Sequence, residues 1–342
     1  MPTEHVVARV VEGSKRDSIR LPPADVEILT HASKPSTAPY IPQPINMKPL
    51  PLVTASDDRP SICDLLAKYS TEIVKLRQLI ADDPLFVSSL HDDLWLLRFL
   101  LTHEKKGGLA SAARAARMTL QFRRKWNLDS EDLRLEWPDS ANKFPAYVMF
   151  NKYASNALVH CIPHPDRGIV SFIDLAEIDQ QGMINNVSEA DALQAHIRFT
   201  EWTFQWLDSI SRRTGRLTKA TRILDLSRIR FMSMNRQWIK RDGANTKLTE
   251  DCYPQLLMAV YPCFAPHWMQ AFWRMVRPLM PARFVEKVDI LQPSANPNEA
   301  KRLHRAVATA DLPRRFGGDL DIWPPPQGSA QAMERAGLAR AI

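Results

Sequence analysis

Five short apolar runs constrain the fold of this chain more than any other feature. They are "NALVHCIPH", "GIVSFIDL", "TRILDLS", "QLLMAVY" and "EKVDIL", spread over residues 156–291. β-Branched and aliphatic residues dominate them, and several are apolar on both faces, as strands covered on both sides are. "HPDRG" between the first two suits a hairpin turn. The later runs are held apart by "SEADALQAHIRFTEWTFQWLDSISRR" and "NRQWIKRDGANTKLTEDC", each long enough for a helix. Strands alternating with helices predict an α/β fold with a mostly parallel sheet flanked by helices.

Between the last two runs lies "PHWMQAFWRMVRPLMP", residues 266–281. At about 100° per residue, Gln270, Arg274 and Arg277 share one narrow wedge. Large apolar residues sweep roughly 200° of the remaining arc, where a surface helix needs a stripe of about 100° or somewhat more. Such a helix needs two apolar neighbours, or it exposes an oversized greasy patch. Burial within a large core and a position over an apolar cavity both satisfy this requirement.

Ahead of the strands, "SICDLLAKYSTEIVKLRQLIADD" repeats apolar residues at three- and four-residue steps and reads as one helix. "HDDLWLLRFLLTHEKK" reads as a second, with Asp92 and Asp93 near its positive end. Gly107 and Gly108 then precede a third, "LASAARAARMTLQFRRKWNL". The resulting division is a proline-rich, disordered arm over 1–59, a helical unit over 60–137, an α/β domain over 138–322 and a tail over 323–342. Residues 1–59 have Tyr40 as their only aromatic, so they have little to bury. Residues 1–50 are therefore expected to be dispensable for folding.

Of the 342 residues, 45% are hydrophobic and 24% charged, with a net charge of +7. That excess favours anionic surfaces without choosing between lipid and nucleic acid. Basic clusters at 123–125, 211–213 and 228–230 read as solvated helix ends and loops, and with no recognisable nucleic-acid module a nucleic-acid partner is not expected. The four cysteines show no CxxC spacing, the N-terminus lacks a signal-peptide core, and no apolar stretch reaches the ~18–20 residues of a membrane span. A cytoplasmic protein, transiently membrane-associated, is expected.

No nucleophile elbow, phosphate loop or dinucleotide fingerprint is present. His160, Cys161, His164 and Asp166 have ligand chemistry, but adjacent strand residues point to opposite faces, so no metal is expected. Asp225, alone in an apolar run, reads as a structural hydrogen-bond hub. No enzyme activity and no cofactor are expected.

Five stretches in order resemble the CRAL-TRIO lipid-binding family, over about residues 60–322. They are "LLRFLLTHEK" with "AARAARMTLQFRRKWNL", "DRGIVSFIDLAEID", "RILDLSRIRFMS", the long segment from "DCYPQLLMAVYPCFAP" to "VEKVDIL", and "DLPRRFGGDL". The resemblance implies that helix 266–280 is a lid over an apolar cavity floored by the sheet. It implies a lipid ligand, with a phospholipid favoured and an isoprenoid-type hydrophobe second. Expected lipid-binding residues are Lys287, Thr249, Tyr253, Leu224, Leu226, Phe272, Met275 and Val276. The lid and its membrane-docking surface are expected to use Trp268, Met269, Trp273, Arg274 and Arg277. Where phosphatidylinositol-transfer members hold their headgroup, Lys287 is kept, but Phe284, Gln255, Leu256, His103 and Glu104 depart from the pattern. Transfer of that lipid is expected to be weak or absent. At positions resembling the phosphatidylcholine site, Thr249 and Tyr253 keep hydroxyls and Ala220 does not. The expected function is non-enzymatic transfer or presentation of a single hydrophobic lipid, with the lipid and a membrane surface as partners; the alternative is a lipid-sensing regulatory module whose N-terminal arm recruits a protein.

Overall fold

The computed structural model describes residues 39–52, 57–105, 107–135, 152–154, 158–161, 168–293 and 296–321. The chain divides into Met1–Lys34 and Pro35–Ile342, and all described residues belong to the second unit. The first 38 residues of the expected arm, the tail after residue 321, the turn at 162–167 and the expected boundary at 137–138 lie outside the described residues.

The helical unit holds α1 (Ile62–Lys68), α2 (Ser70–Ile80), α3 (Asp93–His103) and α4 (Gly108–Lys125). The single helix expected from Ser61 is thus two. The chain leaves helical geometry at Tyr69, with φ −104° and ψ 15°. That turn buries the Tyr69 ring and lets its hydroxyl donate to Glu104 Oε1 at 2.7 Å. α3 begins where Asp92 Oδ1 accepts from the Trp95 amide at 3.2 Å. Gly107, at φ +89°, makes the left-handed entry to α4, and a Cβ there would sit 2.1 Å from Ser111 Oγ.

The sheet runs β1 (Leu158–Cys161), β2 (Val170–Asp174), β3 (Ala220–Asp225), β4 (Leu257–Cys263), in that spatial order. β1 and β2 form an antiparallel pair, and β2, β3 and β4 are parallel. A short α5 (Gln180–Asn186) and the long α6 (Glu189–Thr214) connect β2 to β3, and α7 (Arg236–Cys252) connects β3 to β4. The alternating apolar runs therefore become the expected mostly parallel sheet flanked by helices. The fifth run is not a full strand. Val260 donates to Lys287 O, Asp289 to Val260 O, Leu291 to Pro262 O and Phe264 to Leu291 O. The missing rung is the one Pro262 would donate, since proline has no amide hydrogen.

Strand alternation gives the sheet two different faces. Val170, Phe172, Ile223, Tyr261 and Cys263 point to one side, where Leu303, Val307, Leu312 and Phe316 from the C-terminal segment cover them. This segment contains α9 (Pro297–Leu303). Arg315, from the same segment, pairs with buried Asp225 at 2.7 Å, so Asp225 serves as a structural hub. The other face looks into a cavity.

Two findings differ from the sequence reading. The first concerns residues 39–52. The amides of Asn46 and Leu50 donate to Arg212 O and Thr214 O, and the Asn46 side chain to Arg213 O. These carbonyls end α6, where no intrahelical donors remain. Gly215 follows at φ +65°, and a Cβ on it would meet Asn46 O at 2.4 Å. Proline-rich backbone without secondary structure thus caps the longest helix, and the Tyr40 ring is buried on it.

The second concerns the basic clusters. Arg123 and Arg212 are buried, not solvated. Arg123 forks onto Glu201 with two 3.0 Å bonds, and Tyr253 and Gln205 donate to the same carboxylate. Arg212 holds Asp208 and Asp92, each at 2.6 Å. Asp208 also accepts from Arg98 at 3.3 Å and from Tyr40 at 2.9 Å. Burial pushes the Asp208 carboxyl up, but Arg212 and Arg98 outweigh it and hold it below the usual range. This network ties the helical unit and the 39–52 segment to α6.

Candidate functional site

The cavity measures about 270 Å³. Its floor is the free face of the sheet: Ser171 and Ile173 from β2, Arg222 and Leu224 from β3, Val260 and Pro262 from β4. α6 contributes Ala195, His196 and Phe199 to one wall, and α7 contributes Trp238, Ile239, Asp242 and Thr246 to another. The roof is α8 (Met269–Val276), through Met269, Phe272, Trp273 and Val276.

α8 is shorter than the expected 266–281. Arg277–Leu279 tightens into a 3-10 turn, where Pro278 cannot donate to the preceding helical turn. Its inward side has the expected apolar character. Its other apolar side is not covered: Ala271 and Met275 are exposed, beside the exposed wedge of Gln270, Arg274 and Arg277. Trp268 turns sideways onto Phe231, with ring centroids 5.4 Å apart, and packs against the Leu226 and Ile229 cluster.

The expected site residues therefore separate. Leu224, Leu226, Phe272 and Val276 are brought together on the cavity. Met275 is not: it is 55% exposed, because it shares the outward side with Ala271 one turn earlier. Met269 and Trp273, expected in the lid and its docking surface, line the cavity. Arg274 and Arg277 are on the exposed side. The Tyr253 hydroxyl is committed to Glu201, and burial raises it well above its ordinary value. Lys287 is committed to Glu250 at 2.8 and 2.9 Å. Thr249 falls in α7, and its side chain is outside the described residues. Among the headgroup positions that departed from the family pattern, Phe284 is a cavity wall and Gln255 donates to Thr102 at 3.0 Å.

One end of the cavity is polar: His196, Arg222, Asp242 and Thr246 converge there. Sequence reading missed this group, because "TRILDLS" reads as an apolar strand. The available signal was parity: Arg222 is two residues from Leu224, so it shares the cavity face. Burial lowers the Arg222 guanidinium from its ordinary value, while Asp242 and Glu250 oppose the shift. Burial raises Asp242 against the charges of Arg222 and Arg241. It drops His196 to about 3, with the Arg222 charge adding to the effect. Two outward residues after β3 were also missed. Phe231 is 56% and Met232 91% exposed, beside Trp268.

An α/β sheet with one face on a helix-roofed apolar cavity offers a pocket of the kind that takes apolar ligands. Residues 160–318 match the CRAL/TRIO domain model. No curated protein matches the chain. Among solved structures, the crystal structure of Sfh5 aligns with 81% of this chain and 98% of that one, at 11% identity and a TM-score of 0.45. No helix among the described residues is long and apolar enough to cross a membrane. No cluster of metal-ligating side chains occurs among them either.

Proposed function

We propose that the protein carries one hydrophobic lipid in this cavity and exchanges it with membrane surfaces without catalysing a reaction. The supporting observation is the apolar floor and the apolar roof facing each other across about 270 Å³. Each methylene buried there contributes about 0.8 kcal/mol, similar to what it loses on leaving a bilayer, so exchange needs little net energy. The volume of about 270 Å³ lies just below the usual range of small-molecule pockets, roughly 300–1,000 Å³. It therefore favours a compact or single-chain ligand over the two-chain phospholipid that the sequence resemblance places first.

Docking uses the outward side of the roof. Arg274 and Arg277 supply positive charge, while Met275, Phe231 and Met232 supply exposed apolar contact. Opening α8 exposes Phe272 and Trp273 to the acyl region.

Phe272→Asp tests this reading. An unpaired charge on the cavity roof costs several kcal/mol when lipid is bound, so vesicle-to-vesicle transfer should be lost while far-UV circular dichroism is kept. Protein that unfolds outright would make α8 an ordinary core helix. Wild-type protein that never carries extractable lipid, from cells or after exposure to liposomes, would remove the carrier function itself.

A further inference from the structure

Arg222 is the cationic group of the polar end, and its hydrogen-bonding capacity is left open among the described residues. Its side chain rises from the centre of the sheet, deep in the protein, and its remaining accessible surface faces the cavity. Among the described residues it has no hydrogen bond and no ion pair; Asp242 and Glu250 act on it only as charges at a distance. Glu250 is already taken by Lys287. Two other buried arginines are matched by carboxylates: Arg123 with Glu201 and Asp129, Arg212 with Asp208 and Asp92. An arginine offers five N–H donors in a fixed planar fork, and leaving it unpaired in an apolar cavity is costly. The group that completes it must come from the ligand.

We propose that the lipid carries a compact anionic head, a carboxylate, which takes the Arg222 fork. This rests on the carrier reading and narrows it to a single-chain acidic lipid. The carboxylate matches the fork bidentately. Space excludes larger heads: beyond Arg222, the recess shared by His196, Thr246, Tyr253 and Phe284 has only about 10 Å³, room for about one water molecule. His196 and Thr246 flank the head. Asp242, whose carboxyl burial raises from its ordinary value, lines the same end. The chain lies along Leu224, Phe272, Trp273 and Val276, away from the charge.

The test uses delipidated full-length protein and two ligands of equal chain length, hexadecanoate and hexadecanol, competing with a neutral pyrene-labelled hydrocarbon. Wild type should prefer the acid by at least about tenfold, the value of one charge-assisted hydrogen bond. In Arg222→Met that ratio should fall to near one, and in Arg222→Lys it should be intermediate, because the charge stays while the fork is lost. Lysophosphatidate serves as the bulky-head control and should compete less well than hexadecanoate. Equal binding of acid and alcohol by wild type overturns the proposal while leaving the carrier function standing, as does an unchanged ratio in Arg222→Met. Tighter binding of lysophosphatidate overturns the carboxylate assignment. If the neutral hydrocarbon itself fails to bind, the carrier reading falls and this inference with it. The melting temperature of lipid-free Arg222→Met completes the set: it should equal or exceed that of wild type, whereas a fall would mark Arg222 as a structural group.

Discussion

Two regions of this molecule bury arginines, and they do so in opposite ways. Between the helical unit and α6, Arg98, Arg123 and Arg212 meet Asp208, Glu201 and Asp92 through direct hydrogen bonds, with Tyr40 and Tyr253 filling further acceptor sites. At the cavity end, Arg222 and Asp242 share a space without bonding to each other or to another described group. A satisfied buried network specifies one arrangement of its elements, while an unsatisfied one has a standing cost. The first region therefore holds the fold together, and the second is reserved for something that arrives.

The largest expected effect breaks the first region. Asp208→Ala strips direct partners from Arg98, Arg212 and Tyr40. Removing one member of a buried ion pair costs about 3–5 kcal/mol, to be read as a lower urea midpoint. The matching change at the cavity, Arg222→Met, should cost nothing in the lipid-free protein. Equal losses in the two variants would erase the distinction between the regions.

A second break removes residues 1–50. Sequence reading treats this segment as dispensable because it is poor in apolar side chains. The structure gives it a different role: its amides cap α6 at Arg212, Arg213 and Thr214, and Tyr40 bonds to Asp208. With Arg212 donating to Gln43 O and Arg216 to Leu50 O, six hydrogen bonds at about 1 kcal/mol each predict a loss of several kcal/mol, and chemical denaturation of a chain beginning at Pro51 will measure it. A midpoint equal to that of the full chain would return the segment to a loose arm.

Acid sharpens the comparison. Asp208 is depressed, so its contribution is fully present above its unfolded pKa and is lost only as pH falls through the lower folded value. The paired region should therefore be insensitive between pH 7 and 5. His196 at the cavity end and His91 beside α3 are held near 3 and 4, against an ordinary 6.5. The unfolded chain binds those protons first, so their contribution is intact above pH 6.5 and falls as pH drops toward the folded values. The slope is about 1.4 kcal/mol per pH unit for each group. From pH 7 to 5 the histidines should lower the measured stability while Asp242, whose carboxyl is raised, opposes them, and His196→Leu should remove one histidine's share of the slope.

What was legible in the sequence follows from periodicity. The sheet could be read because β2, β3 and β4 are short apolar runs separated by helix-length segments, and Leu224, Leu226, Phe272 and Val276 because strand and helix parity point them inward. What was hidden has a common cause: its partners are remote in sequence. Nothing local tells buried Arg123 from a solvated helix end, because Glu201 is 78 residues away. The cap on α6 includes the Asn46 side-chain amide, 167 residues from Arg213, visible only once the chain has folded. Lys287 and Tyr253 match a family pattern in type, yet Glu250 and Glu201 hold them in place. Met275 was misplaced by treating a 200° apolar arc as if all of it were covered.

The smallest effect tests the exposed side of α8, where charge is neither paired as around Asp208 nor enclosed as at Arg222. Arg274 and Arg277 are exposed, so reversing both to glutamate should change stability by no more than about 0.5 kcal/mol. The bound lipid should remain, since neither side chain lines the cavity. What should change is the encounter with membranes. Reversing two charges replaces attraction to anionic vesicles with repulsion, and transfer to them should slow at low salt. At 1 M salt the screening length is about 3 Å, so the variant and wild type should converge. Transfer to zwitterionic vesicles should be nearly unaffected at any salt, because Met275, Phe231 and Met232 still provide apolar contact. Identical salt dependence in variant and wild type would take the two arginines off the docking surface and leave that role to the exposed apolar residues beside them.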